Sequence, residues 1–241
     1  RDSTGYNSNG IDQYLWGHWT LEDSAVYKHG GNTFYWMSQS GSKNITIENI
    51  DRPSPLNLNT FVLDFACPGS YEGKIISHNG VSQRTNALAD PNRVPMTIEG
   101  DLTVKNCVGF NVDIFTVDLK GDLTMQSTVF WGLASNSYPY QTGGRLRMNG
   151  TTEQLYFKAG SNLQYIEIDN PNGVRTTSNA SVGHLTLTNG ILNIGSFSFD
   201  VGWFMKERYT TLSVNDFDAT RMIQTNGLVG DLGLSRGLSG T

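Results

Sequence analysis

Three aspartates in the middle of the chain are the first candidates for chemistry. Asp113, Asp118 and Asp122 lie close together in the sequence. Two carboxylates can act as general acid and base on a glycosidic bond, and several carboxylate oxygens can hold a calcium ion. Aspartate is also an ordinary turn residue, because its side chain accepts hydrogen bonds from nearby backbone. We take turn chemistry as the main reason for these residues and keep the acid/base or calcium role as the alternative.

The remaining motifs that carry chemistry are missing from the sequence. No Gly-x-Ser-x-Gly, His-Glu-x-x-His, glycine-rich phosphate loop or calcium loop with regularly spaced aspartates is present. The four histidines are scattered, and His184 is expected to be an exposed histidine on a strand. Cys67 and Cys107 are expected to be separate buried thiols. The sequence therefore predicts no metal site built from His and Cys, and the lack of motifs favours a role without catalysis.

Aromatic residues suggest binding instead. Trp16 and Trp19 belong to a cluster in the first forty residues, and Tyr138 and Tyr140 lie in a polar segment. Exposed aromatic rings provide large contact areas for sugars or protein partners at low entropic cost. These four residues are our candidate ligand-binding residues. For the N-terminal tryptophans, Trp36 included, we favour the alternative that they cover the open end of a repetitive structure.

The sequence contains a repeat, and the structure that the repeat forms determines where these side chains lie. The sequence Gly-Asp-Leu-Thr begins at Gly100 and again at Gly121, and a related Gly-His-Leu-Thr follows at Gly183. A period of about twenty residues is typical of a solenoid. Apolar residues recur in the same phase at nearly this interval and are predicted to form one interior column: Leu102, Leu123, Leu146, Ile166 and Leu185.

Within each repeat, apolar and polar residues alternate in short runs separated by Gly, Asn or Ser, and no stretch requires a helix. Alternation with a period of two predicts strands with one buried face, and Asn-Gly pairs suit tight corners. The pattern predicts an all-β parallel β-helix with rungs of about twenty residues. The alternative is an antiparallel β-sandwich, which has no reason to keep a fixed repeat interval.

Composition limits the other possibilities. The chain has 241 residues and a net charge of −5, without blocks of basic residues, which argues against binding to nucleic acid. No apolar run is long enough to cross a bilayer, so the sequence predicts no membrane span.

Several segments resemble known proteins. Residues 163–170 (LQYIEIDN) and 182–190 (VGHLTLTNG) are similar to β-helical segments of large surface and secreted proteins of Bacteroidota. The tail, with 222–227 (MIQTNG) and 230–236 (GDLGLSR), resembles the segment that leads from such a β-helix into a following β-rich module. Proteins of this family are typically exported by the type IX secretion system and include gliding-motility adhesins. The resemblance implies a stalk, spacer or adhesive surface, and it supplies no catalytic residue.

The sequence therefore predicts a right-handed parallel β-helix with capping segments. We expect an N-terminal cap with irregular rungs over 1–95, regular rungs over 96–205, and a C-terminal cap or connection over 206–241. The expected role is a structural or adhesive segment of an exported cell-surface protein, with no cofactor unless calcium binds. Expected partners are neighbouring domains of a longer polypeptide, surface polysaccharide and secretion-machinery proteins. The alternatives are a polysaccharide-active lyase or glycoside hydrolase and a carbohydrate-binding module.

Overall fold

A computed structural model gives the architecture of the chain. It describes residues 6–7, 9–22, 25–41, 43–47, 55–65, 71–77, 96–105, 108–112, 116–126, 130–131, 145–158, 163–201, 212–214, 219, 221–226 and 233–236. The described residues form strands, turns and bends and contain no helix, as the alternating pattern predicts.

The strands follow one another in sets of three, and we call each set a rung. The first five rungs contain fifteen strands. They are β1 Tyr6–Asn7, β2 Gln13–Leu15, β3 Trp19–Leu21, β4 Tyr27–Lys28, β5 Thr33–Ser38, β6 Lys43–Ile47, β7 Leu56–Leu58, β8 Thr60–Phe65, β9 Tyr71–Ser77, β10 Met96–Ile98, β11 Leu102–Lys105, β12 Val108–Val112, β13 Thr116–Leu119, β14 Leu123–Met125 and β15 Phe130–Trp131.

Two long strands in the second half of the chain serve more than one position of a rung. The strands of the last four rungs are β16 Arg145–Met148, β17 Gln154–Lys158, β18 Leu163–Asp169, β19 Val174–Thr176, β20 Ala180–Gly195, β21 Ser198–Val201, β22 Leu212–Val214, β23 Arg221–Thr225 and β24 Gly233–Arg236. The start of β18 belongs to rung six and its end to rung seven, while β20 contributes to rungs seven and eight.

Every pairing between described strands is parallel, and from β2 and β3 onwards strands pair with their counterparts in neighbouring rungs, apart from β4. Three ladders result, apart from a separate pairing of β1 with β4. The first ladder runs from β7 through β10, β13, β16, β18 and β20 to β22. The second runs from β2 to β23, and the third from β3 to β24. This large parallel sheet is consistent with a solenoid and unlike the antiparallel sheets of a sandwich.

The core is built from inward side chains that stack along each ladder. In the first ladder Met96 pairs with Val117, Val117 with Leu146, and Leu146 with Ile166. All four side chains are buried, and the outward residues between them are polar. A single rung could not bury such a face, so each rung depends on its neighbours for stability.

The prediction of a single interior column is wrong, although its five residues are all buried. Leu102 and Leu123 pair in the second ladder, where Leu123 next meets Tyr156. Leu146 belongs to the first ladder, together with Ile166 and Leu185. The reason is that each rung has several inward positions, and rung length varies. The step between paired residues is much longer from Leu123 to Tyr156 than from Leu146 to Ile166.

Glycines allow close approach at the corner between the first and second strands of a rung. A side chain at Gly121 would overlap the carbonyl group of Gly100 in the rung before it. Gly190 has a φ of +93°, and a side chain there would overlap the carbonyl oxygen of Asn170. Gly121 is therefore required for space, and Gly190 for both conformation and space. Corner glycines consequently keep successive rungs close enough to pair.

Aromatic side chains fill the interior of the first rungs. Trp36 is fully buried and donates a hydrogen bond from Nε1 to the carbonyl oxygen of Gly17 at 3.0 Å. Trp19 packs against Phe34 and Tyr27. At the other end, β23 and β24 continue the second and third ladders, with a register shift between Asn193 and Gly195 where β20 pairs with β23. The described strands of the tail therefore form part of a further rung.

Candidate functional site

The outward side of the first ladder carries an ordered set of polar side chains, which we call the polar face. Strand alternation places its residues in three columns that run across rungs five to eight. The first column contains Thr116, Arg145, Tyr165 and His184; the second contains Asp118, Arg147, Glu167 and Thr186; the third contains Lys120, Asn149 and Asp169. The register of the strands thus brings together residues that are far apart in sequence.

Asp118, one of the predicted acidic candidates, forms a bidentate ion pair in this face. Arg147 Nε lies 2.7 Å from Asp118 Oδ1, and Nη2 lies 3.0 Å from Oδ2. The side chain of Asp118 is 11% exposed and that of Arg147 is 20% exposed. The hydrogen bond to Asp118 raises the pKa of Arg147 above its ordinary value. Because both carboxylate oxygens are occupied by the guanidinium, this aspartate is poorly suited to proton transfer.

Glu167 is the second acidic residue of the polar face. Its Oε2 lies 2.8 Å from Arg145 Nη1 in an ion pair without hydrogen-bond geometry, and its Oε1 accepts a hydrogen bond from Thr188 Oγ1 at 2.6 Å. Arg145 also donates from Nε to Thr116 Oγ1 at 2.9 Å. Each of the two buried carboxylates therefore has an arginine from a neighbouring rung. Such pairing compensates for the cost of removing the charges from water.

Tyr165 and His184 lie next to this ion pair. Their ring centroids are 5.7 Å apart, and the Tyr165 hydroxyl is 3.0 Å from Thr186 Oγ1. The guanidinium carbon of Arg145 lies 5.7 Å from the centre of the Tyr165 ring. His184 is only 6% exposed, so the expectation of an exposed strand histidine is wrong. Burial lowers the pKa of His184, which favours the neutral imidazole.

Asp122 lies at a corner and bonds to the backbone of the following rung. Its Oδ1 accepts a hydrogen bond from the N–H of Leu155 at 2.8 Å. Asp101, at the equivalent corner of the rung before, accepts in the same way from the N–H of Asp122 at 2.8 Å. The turn chemistry predicted for these aspartates is thus a bond between rungs, whereas Asx turns bond to residues nearby in the chain. Asp113 lies outside the described residues.

An amide cluster continues this corner into the next rungs. Gln154 is buried, donates from Nε2 to the Leu119 carbonyl oxygen at 3.0 Å, and also bonds to the Gly121 carbonyl. Its Oε1 accepts hydrogen bonds from the Gly150 N–H at 2.8 Å and from Asn170 Nδ2 at 2.9 Å. The corner is therefore held by side chains that satisfy buried backbone groups.

The predicted aromatic ligand-binding residues are in different environments. Trp16 is 52% exposed, whereas Trp19 is partly buried and packs against the core. Tyr138 and Tyr140 lie outside the described residues. Tyr14, which the sequence analysis overlooked, is 60% exposed and stacks on Tyr35 with ring centroids 4.8 Å apart. Tyr14 and Trp16 occupy alternate positions of the chain at β2 and are the most exposed aromatic residues described.

Most residues of the polar face were not predicted from the sequence. Arg145, Arg147 and Glu167 alternate with apolar residues on their strands, and that alternation marks them as outward. What the sequence does not reveal is their partners, because the step from Asp118 to Arg147 is longer than the repeat interval. Tyr14 and Tyr35 are one repeat interval apart, so the repeat could have paired them.

Metal and membrane sites lack support in the described part of the chain. It contains no group of three or more His, Cys, Asp or Glu residues that could hold a metal ion. Nor does it include a helix of the length and apolar character needed to cross a membrane.

Comparison of the chain with protein-family models, curated proteins and solved structures gives no match.

Proposed function

We propose that this chain is a right-handed parallel β-helix that serves as a structural or adhesive segment of an exported cell-surface protein. One observation carries the proposal: the described acidic candidates are used to join rungs. Asp118 pairs with Arg147, and Asp122 binds the N–H of Leu155. The strand register and these side-chain contacts therefore both join successive rungs. Right-handed winding is the rule for connections between parallel strands of one sheet, which supports the hand.

The exposed aromatic surface supports the adhesive part of the proposal. Tyr14 and Trp16 offer rings to solvent, and Tyr35 lies beneath Tyr14. Such rings can bind the faces of sugars or the apolar parts of a protein. Neighbouring domains of the same polypeptide, surface polysaccharide and secretion-machinery proteins are the proposed partners, at the cell surface or outside the cell. No cofactor is needed for this role, and calcium binding stays a prediction.

A binding experiment tests the adhesive role. The full chain is sedimented with insoluble plant, algal and bacterial polysaccharides, with and without calcium. Retention on at least one of them is expected to fall at least fivefold in Tyr14→Ala and Trp16→Ala variants. Phe157→Ala is the matched control, because Phe157 is also an exposed aromatic residue but lies at a distance along the stack. Equal retention of all three variants would remove the aromatic surface from the proposal and leave a stalk.

A polysaccharide-active enzyme is the second candidate, and the Tyr165–His184 contact favours it. A neutral imidazole beside a phenol and a guanidinium could move protons on a sugar acid. Its test is a search for new chain ends in the same polysaccharides after incubation with the protein. Turnover that is lost in both Tyr165→Phe and His184→Gln, with folding intact, would favour the enzyme. The absence of turnover on every substrate would favour the structural role.

A further inference from the structure

The third column of the polar face brings together an amine, an amide and a carboxyl group. Lys120, Asn149 and Asp169 each follow an inward residue of the first ladder, and those inward residues pair with one another across three successive rungs: Leu119 with Met148, and Met148 with Ile168. Neighbouring strands in a sheet are about 4.8 Å apart. The three side chains therefore lie at the same corner on adjacent rungs.

The side-chain amide of Asn149 is unusual in its hydrogen bonding. Its side-chain Oδ1 is buried and has no hydrogen-bond partner among the described residues. Leaving a buried acceptor without a donor is costly. The ammonium of Lys120 lies close by, with Nζ 3.5 Å from the main-chain oxygen of Asn149. The amine thus already contacts the residue that carries the free amide.

Asp169 supplies a group that can carry protons. Burial, with a further contribution from the charge of Glu167, raises the pKa of Asp169, while the positive charges of Arg147 and Lys120 oppose the shift. Asp169 lies two rungs from Lys120 at the same corner, with Asn149 on the rung between them. A carboxyl group with a raised pKa is suited to general acid–base catalysis beside a nucleophilic lysine.

We propose that Lys120 and Asn149 form an intramolecular amide bond between rungs five and six, with Asp169 as the group that moves the protons. The proposal is independent of any adhesive or enzymatic role. It assigns a covalent modification site to the polar face.

The reaction balances without a further reactant. Asp169 accepts a proton from the Lys120 ammonium, and the free amine attacks Cγ of Asn149. The Nζ–Cγ bond forms, the protonated carboxyl group donates to Oδ1, and the developing charge is stabilised. Asp169 takes a second proton from the attacking nitrogen and passes it to Nδ2, and collapse of the tetrahedral intermediate breaks the Cγ–Nδ2 bond and releases ammonia. The ammonia takes the proton from Oδ1, so the positive charge of the lysine departs as ammonium, and proximity within the fold drives the step.

A competing reaction of the same asparagine is disfavoured. Asn149 precedes Gly150, and the Gly150 nitrogen could attack Cγ to give a cyclic imide, also with loss of ammonia. That nitrogen donates a hydrogen bond to Oε1 of the buried Gln154 at 2.8 Å. An N–H held in this hydrogen bond is less available to attack Cγ. The lysine is therefore the favoured nucleophile.

Intact-mass spectrometry of the full chain under reducing conditions tests the proposal. The mass is expected to be lower than the sequence mass by one ammonia molecule, either at purification or after incubation. Trypsin should fail to cleave after Lys120, and residues 106–145 should remain joined to residues 148–158 as a branched peptide. Lys120→Arg and Asn149→Ala should show their full sequence masses, and Asp169→Asn should form the bond at least tenfold more slowly. Lys105→Arg is the matched control and should keep the mass deficit.

Two results would overturn the proposal. One is a full sequence mass that persists throughout incubation. The other is a deficit of one ammonia molecule that survives in Lys120→Arg, because the loss would then arise from a cyclic imide or from another site. Peptide mapping of the parent protein detects the bond directly, so the test holds even where a variant fails to fold.

Discussion

Arg147 clamps both carboxylate oxygens of Asp118 across two adjacent rungs, at 2.7 and 3.0 Å. Asp118, which the sequence suggests as a catalytic acid, therefore has a structural role in this contact. Glu167, two rungs further on, has one carboxylate oxygen in an ion pair with Arg145 and accepts a hydrogen bond from Thr188 at the other. The polar face therefore consists of charges that compensate one another between rungs, and its disruption should reduce stability first.

Truncation of an interior leucine should reveal which residues share a column. Leu123→Ala is expected to lower the free energy of unfolding by about 2–5 kcal/mol, as buried truncations do. In double-mutant cycles measured by urea denaturation, Leu123→Ala should couple to Leu102→Ala, its partner in the second ladder. It should be additive with Leu185→Ala within about 0.5 kcal/mol, because Leu185 lies in the first ladder three rungs away. Coupling to Leu185 alone would contradict the ladders.

Removal of the Tyr156 hydroxyl should stabilise the protein. Tyr156 is fully buried, and its hydroxyl has no hydrogen-bond partner among the described residues. Burial without a partner raises the pKa of this phenol far above its ordinary value. Tyr156→Phe is therefore expected to raise the free energy of unfolding by about 1–2 kcal/mol.

Tyr165→Phe is the matched control for this change, since the Tyr165 hydroxyl has a partner in Thr186. Its loss should lower the free energy of unfolding by about 1 kcal/mol. A Tyr156→Phe variant that is less stable than the parent would show that the hydroxyl is hydrogen-bonded after all.

Acid should weaken the fold through His184. Its pKa in the folded protein is lowered from the ordinary value of 6.5, with burial as the cause. The unfolded chain therefore binds the proton more readily. The stabilising contribution is complete above the unfolded pKa and is lost as the pH falls towards the folded pKa. Unfolding curves from pH 8 to pH 5 should show a decline that is smaller in His184→Gln.

Asp169 gives a change of opposite sign at lower pH. Its folded pKa is raised above 3.8, so its ionised form disfavours the fold at neutral pH, and this penalty disappears as the pH falls through the folded pKa. In Asp169→Asn the contribution of Asp169 is absent, so the remaining pH dependence can be compared with that of His184→Gln.

For the His184 prediction, an identical pH dependence in the parent and in His184→Gln would mean that the imidazole titrates as it does in the unfolded chain.

The sequence predicts the elements better than their partners. Period-two alternation identifies the strands, and the repeat interval places Leu102 beside Leu123 correctly. The interval fails where rungs lengthen, as between Val117 and Leu146, which pair although the step between them exceeds one repeat. The additional residues in such steps include segments of irregular sequence, for which alternation gives no register.

Contacts between rungs in the candidate site were likewise not predictable from the sequence. Asp118 and Asp122 are recognisable as polar outward residues, but only the three-dimensional register shows that Arg147 and the Leu155 N–H satisfy them. Corner glycines such as Gly121 are clear in the sequence, whereas the neighbouring carbonyl that requires a glycine there belongs to another rung. Contacts between rungs are therefore the part that the sequence alone leaves open.

A double-mutant cycle on Asp118 and Arg147 tests the central claim, that the outward acidic residues hold the rungs together. Asp118→Asn and Arg147→Met are each expected to lower the free energy of unfolding by about 2–4 kcal/mol, because each leaves a largely buried partner uncompensated. The two changes together should cost less than their sum by about 1 kcal/mol or more, on the scale of coupling energies between contacting residues. The control cycle combines Asp118→Asn with Arg175→Met, since Arg175 forms an exposed ion pair with Glu153 elsewhere, and it should be additive. Additivity of Asp118→Asn with Arg147→Met would contradict the account.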